Sequence, residues 1–240
     1  MTIHTFPTSW YKFVSRRFPL TTASQVTPLP LLSIRKRARG AAQIWSCQLT
    51  MAVRPDPTWQ EIEAFFHRLD GQVGNIRIGD PWRRKPWHNR NLAATITGFS
   101  DGTEFSDGTG FADGFLPPFC TAYAAASRGA SFVVLAGLPA SVSSALMRGD
   151  LIEHRPNGIH AEFPALYEVM HGNATDSSGR AGVEIRPRLH AGVAAGDQFV
   201  LQDATTVMHI ADDSQGAAEI GLPAIGSIGF SLIEALDLVP

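Results

Sequence analysis

From Gln43 to Val53 polar and apolar positions alternate: Ile44, Ser46, Gln48 and Thr50 interleave with Trp45, Cys47, Leu49 and Met51. A period of two marks a β-strand with one face buried. The pattern predicts a β-hairpin over residues 31–53, with arms Leu31–Arg37 and Gln43–Val53 and Arg39-Gly40 at the tip. Upstream, residues 8–20 alternate loosely as a first strand, and TTASQVTPLP reads as a Pro- and Thr-rich link. Downstream the period changes. Trp59, Ile62, Phe65, Phe66 and Leu69 recur three and four residues apart, the apolar stripe of an amphipathic helix. Asp56 or Thr58 suits its N-cap, Pro57 its first turn, Glu61 and Glu63 the positive end of its dipole, and Gly71 its left-handed stop. A short helix this apolar has to pack, most simply on a sheet face. VGNIRIGDP is then a short strand that ends in a turn.

The rest of the chain returns to short strands. Residues 130–154 read as a strand, a turn and a second strand entered at Arg148-Gly149-Asp150, a turn triplet rather than an integrin signal. Ala165–Met170, Gly182–Arg186 and Gln198–Gln202 follow, punctuated by Gly-Asn, Asp-Ser-Ser-Gly and Ala-Gly-Asp. TTVMHIADD is another strand, and Ile228, Phe230 and Leu232 alternate in a closing one. The expected organisation is one unit from residues 1–80 with 207–240, a small β-barrel-like unit over 148–206 set into it, and a connecting insert over 81–147.

That insert holds a repeat. Phe99, Phe105 and Phe111 recur every six residues, as do Asp101, Asp107 and Asp113, each Asp followed by Gly. Asp oxygens on tight Gly turns suit a hard cation such as Ca²⁺, which makes the three aspartates weak metal candidates. The spacing matches neither the EF-hand nor the nonapeptide repeat, and a surface loop or small hairpin stack with a Phe seam explains it as well.

Composition narrows the classes. The 240 residues suffice for a real core, and 22 Gly with 16 Pro favour turns and short strands over a helical bundle. A net charge of −2 gives no global field for nucleic acid or an anionic membrane. Cys47 and Cys120 form no disulfide framework, as expected of a protein made in a reducing cytosol. The N-terminus reads as neither signal peptide nor anchor, and no apolar run is long enough to span a membrane.

Catalytic patterns are missing from the sequence: there is no GxSxG, GxxxxGK[ST], CxxC or HExxH, so neither catalysis nor a cofactor is expected. His160 and Glu162, with Glu168 and His171, could be parts of a hydrolytic metal site, though loop or strand-edge positions account for them equally. The basic, aromatic stretch DPWRRKPWHNR offers Trp82, Arg83, Arg84 and Trp87 as interface candidates, Trp and Arg being the residue types that anchor protein contacts. Interleaved cations and aromatics can also hold single-stranded nucleic acid. Apart from IRKRAR (34–39), no second basic stretch continues this one. The bland alternative is a solvated loop whose tryptophans fold back on the sheet.

In order, the segments are IWSCQLTM, WQEIEAFFHRLDGQVGNIRIGDP, LAGLPASVSSALMRGDLIEH, LYEVM…GRAGVEIRPRLHAGVAAGDQFVL and GFSLIEAL. This order resembles the distal or minor tail proteins of long-tailed bacteriophages over roughly residues 30–80 and 130–240. The resemblance implies a β-sandwich or split-barrel belt domain with one covering helix and a small inserted barrel. It implies a non-catalytic, closed homo-oligomeric ring, usually a hexamer, joining the tail tube protein to the tip hub and reached by tail fibres. Such a protein is assembled in the host cytoplasm and resides in the virion. A competing reading makes the small barrel a carbohydrate- or receptor-binding module, with Tyr167 as its aromatic platform.

Overall fold

The computed structural model describes residues 3–10, 13–28, 35–53, 57–69, 71–95, 115–156, 164–212, 219–221 and 225–235. The chain is mainly β. It forms one unit from Met1–Ile78 with Val207–Leu238, and a second whose body is Gly79–Thr206.

The first unit opens with β1 (Ile3–Thr5), β2 (Phe13–Arg17), β3 (Leu20–Pro28), β4 (Arg35–Val53), α1 (Pro57–His67) and β5 (Asn75–Gly79). The second contains α2 (Trp87–Thr95), β6 (Phe119–Ala122), β7 (Phe132–Ala136), β8 (Leu151–Arg155), β9 (Ala165–Val169), β10 (Ala181–Arg186) and β11 (Gln198–Val200). β12 (Thr205–Ile210), β13 (Glu219–Gly221) and β14 (Ile225–Glu234) lead back and close the first unit.

An eight-stranded sheet runs β1-β5-β12-β14-β4-β2, with β13 on β14 and β3 on β4. The alternation in β4 comes out as read: Trp45, Cys47, Leu49 and Met51 are buried, and Gln48 faces solvent. Ile228, Phe230 and Leu232 of β14 share the buried face, with Ile76 and Ile78 of β5. The helix lies on it. Ile62, Phe66 and Leu69 are buried, and the Phe66 ring meets Phe230 at 4.9 Å between centroids. Phe65, half-buried, joins Phe6 (5.8 Å) and Trp10 (5.6 Å) in an edge-on cluster, so the N-terminal segment packs on its own unit. The helix begins at Pro57, and Gly71 takes the left-handed φ of 68° just beyond its end. The Trp59 side chain and Asp56 lie outside the described residues.

Two expectations are corrected here. The Pro- and Thr-rich "link" is itself a strand, β3, whose Thr and Val residues suit a pleated chain. The hairpin tip is not Arg39-Gly40, because β4 runs straight through that dipeptide. Between Thr22↔Gln43 and Ser24↔Arg39 the register shifts, and Gly40 sits in that irregularity. A glycine inside a strand marks a bulge as readily as a turn.

The second unit is a closed barrel, ordered β10-β7-β6-β11-β8-β9. Its interior holds Cys120, Val133, Leu135, Ile152, Val183 and Phe199, among others. β6 and β7 lie within the stretch read as a connecting insert, yet they are staves of this barrel. A four-residue strand such as β6 is too short to show a period in sequence. The chain leaves the sheet by β5 and returns by β12, its neighbour. At that neck a Cβ on Gly79 would stand 2.3 Å from the Ala204 carbonyl oxygen, so only glycine fits. The Phe-Asp-Gly repeat, with Asp101, Asp107 and Asp113, lies outside the described residues.

Phe66→Ala is expected to lower stability by about 3–5 kcal/mol in urea unfolding, as for a fully buried aromatic truncated to a cavity. Phe65→Ala, on the half-exposed side of the same helix, should cost clearly less. Equal losses would mean that the helix does not pack by this face.

Candidate functional site

The segment Asp80–Arg90 follows the Gly79 neck. A solvated loop is one expectation for it, and most of its polar groups are instead tied down. Asp80 is buried and closes the turn: Oδ1 accepts from the Trp82 amide at 3.0 Å and Oδ2 from Arg83 Nε at 2.7 Å. Arg83 also donates through Nη1 to Glu168 Oε1 at 3.0 Å and to the Gly149 carbonyl at 3.3 Å. Its side chain is 21% exposed, its charge directed inward. Arg84 bonds Asp203 Oδ1 at 2.5 Å, but in an exposed pair.

From Trp87 the segment becomes α2, a helix the sequence reading did not contain. Its start lacks a local capping residue, being preceded by Pro86. The cap comes from Asp150, whose Oδ1 accepts the Trp87 amide at 2.7 Å and whose Oδ2 accepts the Met147 amide at 2.8 Å. A carboxylate at a helix N-terminus satisfies an otherwise unpaired donor and meets the positive end of the dipole. Burial still raises the Asp150 pKa above its ordinary value, against the lowering effect of those two amides and of Arg90 and Arg83. The Asp of the RGD triplet is therefore an internal cap, buried and turned away from any receptor. Two residues further on, Asn89 is buried and makes a two-way clasp with Leu116, donating to its carbonyl at 3.0 Å and accepting its amide at 2.7 Å.

This pinning leaves two large rings outside. Trp82 is 64% exposed and Trp87 is 51% exposed, with the Arg90 guanidinium 5.1 Å from the Trp87 ring centroid. Of the four interface candidates, Trp82 and Trp87 stand at the surface, Arg84 is part-exposed in a pair, and Arg83 holds the segment in place. A rigid backbone presenting exposed Trp residues gives a pre-ordered contact surface, because little side-chain and loop freedom remains to be lost on binding.

Of the residues proposed for hydrolysis, the two described ones bond different partners. Glu168 is engaged by Arg83, and His171 is exposed and pairs with Glu184 Oε2 at 3.1 Å. His160 and Glu162 lie outside the described residues. Among the described residues no three His, Cys, Asp or Glu side chains are grouped as a metal site needs. Tyr167 is also corrected: it is fully buried in the barrel, its hydroxyl accepting the His190 amide at 3.2 Å, and it forms no platform.

Sequence reasoning missed a buried pair inside the barrel, His154 Nε2 with Asp197 Oδ2 at 3.0 Å. The two residues are 43 positions apart, and no local signal joins them. Asp197 also holds the tight turn before β11 by accepting the Ala194 amide at 2.8 Å. Burial lowers the His154 pKa, opposed by its hydrogen bond and charge attraction to Asp197. Burial, with a smaller push from Arg128, lowers His190 to about 4. Cys120 is pushed up to about 12 by burial and is an inert thiol.

Two outcomes are expected from unfolding measurements. Arg83→Ala should cost about 3–5 kcal/mol, because it takes a guanidinium from the buried Asp80 carboxylate and from Glu168. Arg84→Ala, in an exposed pair, should cost no more than about 1 kcal/mol. Stability should also fall with acid. An unfolded His titrates near 6.5, so below that pH the unfolded chain binds a proton that folded His190 refuses, and stability drops as pH falls from 6.5 towards about 4. His190→Phe should flatten that part of the pH profile of the urea midpoint. No protein-family model matches the chain, and no curated protein matches it.

Proposed function

We propose that this chain is a structural subunit of a bacteriophage tail tip, forming a homo-oligomeric ring that joins the tail tube to the tip hub and acting by assembly rather than turnover. The observation that carries the reading is the contrast between a closed barrel and an open sheet. Among the described residues β4 pairs with β14 and β2 only beyond residue 45, whereas Arg35–Gln43 pairs with β3 alone. A two-stranded ribbon is marginal by itself in water and gains from a further strand or surface. Charge supports a second copy of the chain as that surface. The stretch IRKRAR (34–39) carries four cations in sequence, so in a chain of net charge −2 the remainder carries an excess of six negative charges. A head-to-tail ring, in which one face of each subunit meets a different face of the next, uses such complementarity. The exposed Trp82 and Trp87 supply a second, rigid contact for a neighbour, the tube protein, the hub or a fibre. In this reading the protein assembles in the host cytoplasm and ends in the virion.

Light scattering on the purified protein at two concentrations is the test. A mass near about six times 25.9 kDa is expected, and Trp82→Ala should reduce it or raise the concentration needed for it while the thermal midpoint stays put. A strict monomer at all concentrations, with and without tube protein, would rule the ring out. Thermal destabilisation by Trp82→Ala as large as that by Phe66→Ala would make Trp82 a core residue and remove it as a contact.

A further inference from the structure

The closed barrel has no free edge to which a partner could add a strand, which leaves the outer faces of its staves as possible contact surfaces. One such face, across β10, β7 and β6, is built unlike a solvated surface. Gly182 lies opposite Val134 and Glu184 opposite Phe132 in the β10–β7 register. The Tyr123 amide donates to the Val134 carbonyl at 2.8 Å, which extends the β6 pairing by one residue. These positions alternate with Ala122, Val133, Leu135 and Val183 of the interior, and therefore project outward. Phe132 is 53% exposed and Tyr123 is 49% exposed. A Cβ on Gly182 would stand 2.5 Å from Phe132 Cζ, so the Phe132 ring folds down over Gly182 into space that any side chain would fill.

A charged group accompanies each ring. The Arg180 guanidinium lies over one face of the Tyr123 ring, its carbon 3.9 Å from the centroid, and Tyr123 stays half-exposed. At the other end is the Glu184 carboxylate, 36% exposed, steadied by His171 at 3.1 Å and Arg186 at 3.8 Å. Tyr123 and Phe132 are diagonal neighbours on adjacent strands, a spacing of roughly 7–8 Å. Linear strings of sugar rings match this arrangement. A pyranose has apolar C–H faces that shed water against an aromatic ring. Its equatorial hydroxyls can donate to a carboxylate and accept from a guanidinium. We propose that the outer face of β10-β7-β6, centred on Phe132 and Tyr123 with Arg180 and Glu184 at its ends, binds a neutral oligosaccharide. The site uses barrel residues only and does not depend on ring formation: a monomer that binds sugar would sink the ring and keep this site.

The test is isothermal titration of the full chain with chitohexaose, cellohexaose and maltohexaose in turn, and with a proline-rich decapeptide as the competing ligand class. Saturable binding of at least one sugar is expected. Phe132→Ala and Tyr123→Ala should each weaken it by about tenfold or more with the thermal midpoint preserved. Gly182→Val, which removes no ring but takes the space beneath Phe132, should weaken it too. The proposal is overturned if none of the three sugars binds, if the variants bind as well as the parent, or if only the peptide binds.

Discussion

Every backbone donor and acceptor on a strand needs a partner, and this chain meets that constraint in two different ways. Among its staves the second unit closes completely, each strand hydrogen-bonded on both sides. Among the described residues the first unit's sheet order ends at β1 and β2, and the ribbon of β3 and β4 continues past the sheet. Closure makes the barrel self-sufficient as a fold and leaves recognition to its faces and to the segment that enters it. Openness leaves the sheet with strand edges, which natural proteins cover, blunt or use for association. The division between a closed sheet and an open one follows from that one requirement.

The Asp80–Arg90 segment shows how buried polar groups convert a basic stretch into a rigid one. Asp80 and Asp150 are both almost wholly buried, and each accepts a main-chain amide at a point where the chain changes direction. Arg83 links the first of them to β9 through Glu168. A buried carboxylate is costly unless it is paired or hydrogen-bonded, and here each is. The consequence is geometric: Trp82 and Trp87 stand outside while Arg83 between them and the two carboxylates are used internally. A count of cations along the sequence overstates what the surface can offer to a phosphate backbone.

The same logic governs the histidines. His154 and His190 sit among barrel residues where burial disfavours the imidazolium and lowers both pKa values. Asp197 ties His154 to the turn before β11. These are structural groups inside a closed wall, with Cys120 protonated in the same interior.

Local periodicity carried much of the fold into the sequence. The two-residue alternation of β4 and β14 named Trp45, Cys47, Leu49, Met51, Ile228, Phe230 and Leu232 as core, and they are buried together. The three-four stripe of α1 named Ile62, Phe66 and Leu69 and required a sheet beneath them, which Phe230 provides. Mainly β architecture and the small barrel were legible for the same reason: side chains alternate across a strand whatever its partners are. What tertiary structure decided is whatever depends on residues far apart in the chain. α2 was invisible because its cap, Asp150, lies 63 positions from Trp87. Arg39-Gly40 looked like a tip because only the register with β3 distinguishes a bulge from a turn. Tyr167 and Tyr123 are the same residue type in similar strand contexts. Which one faces the interior was settled by the closure of six staves, a property that no single stretch of sequence contains.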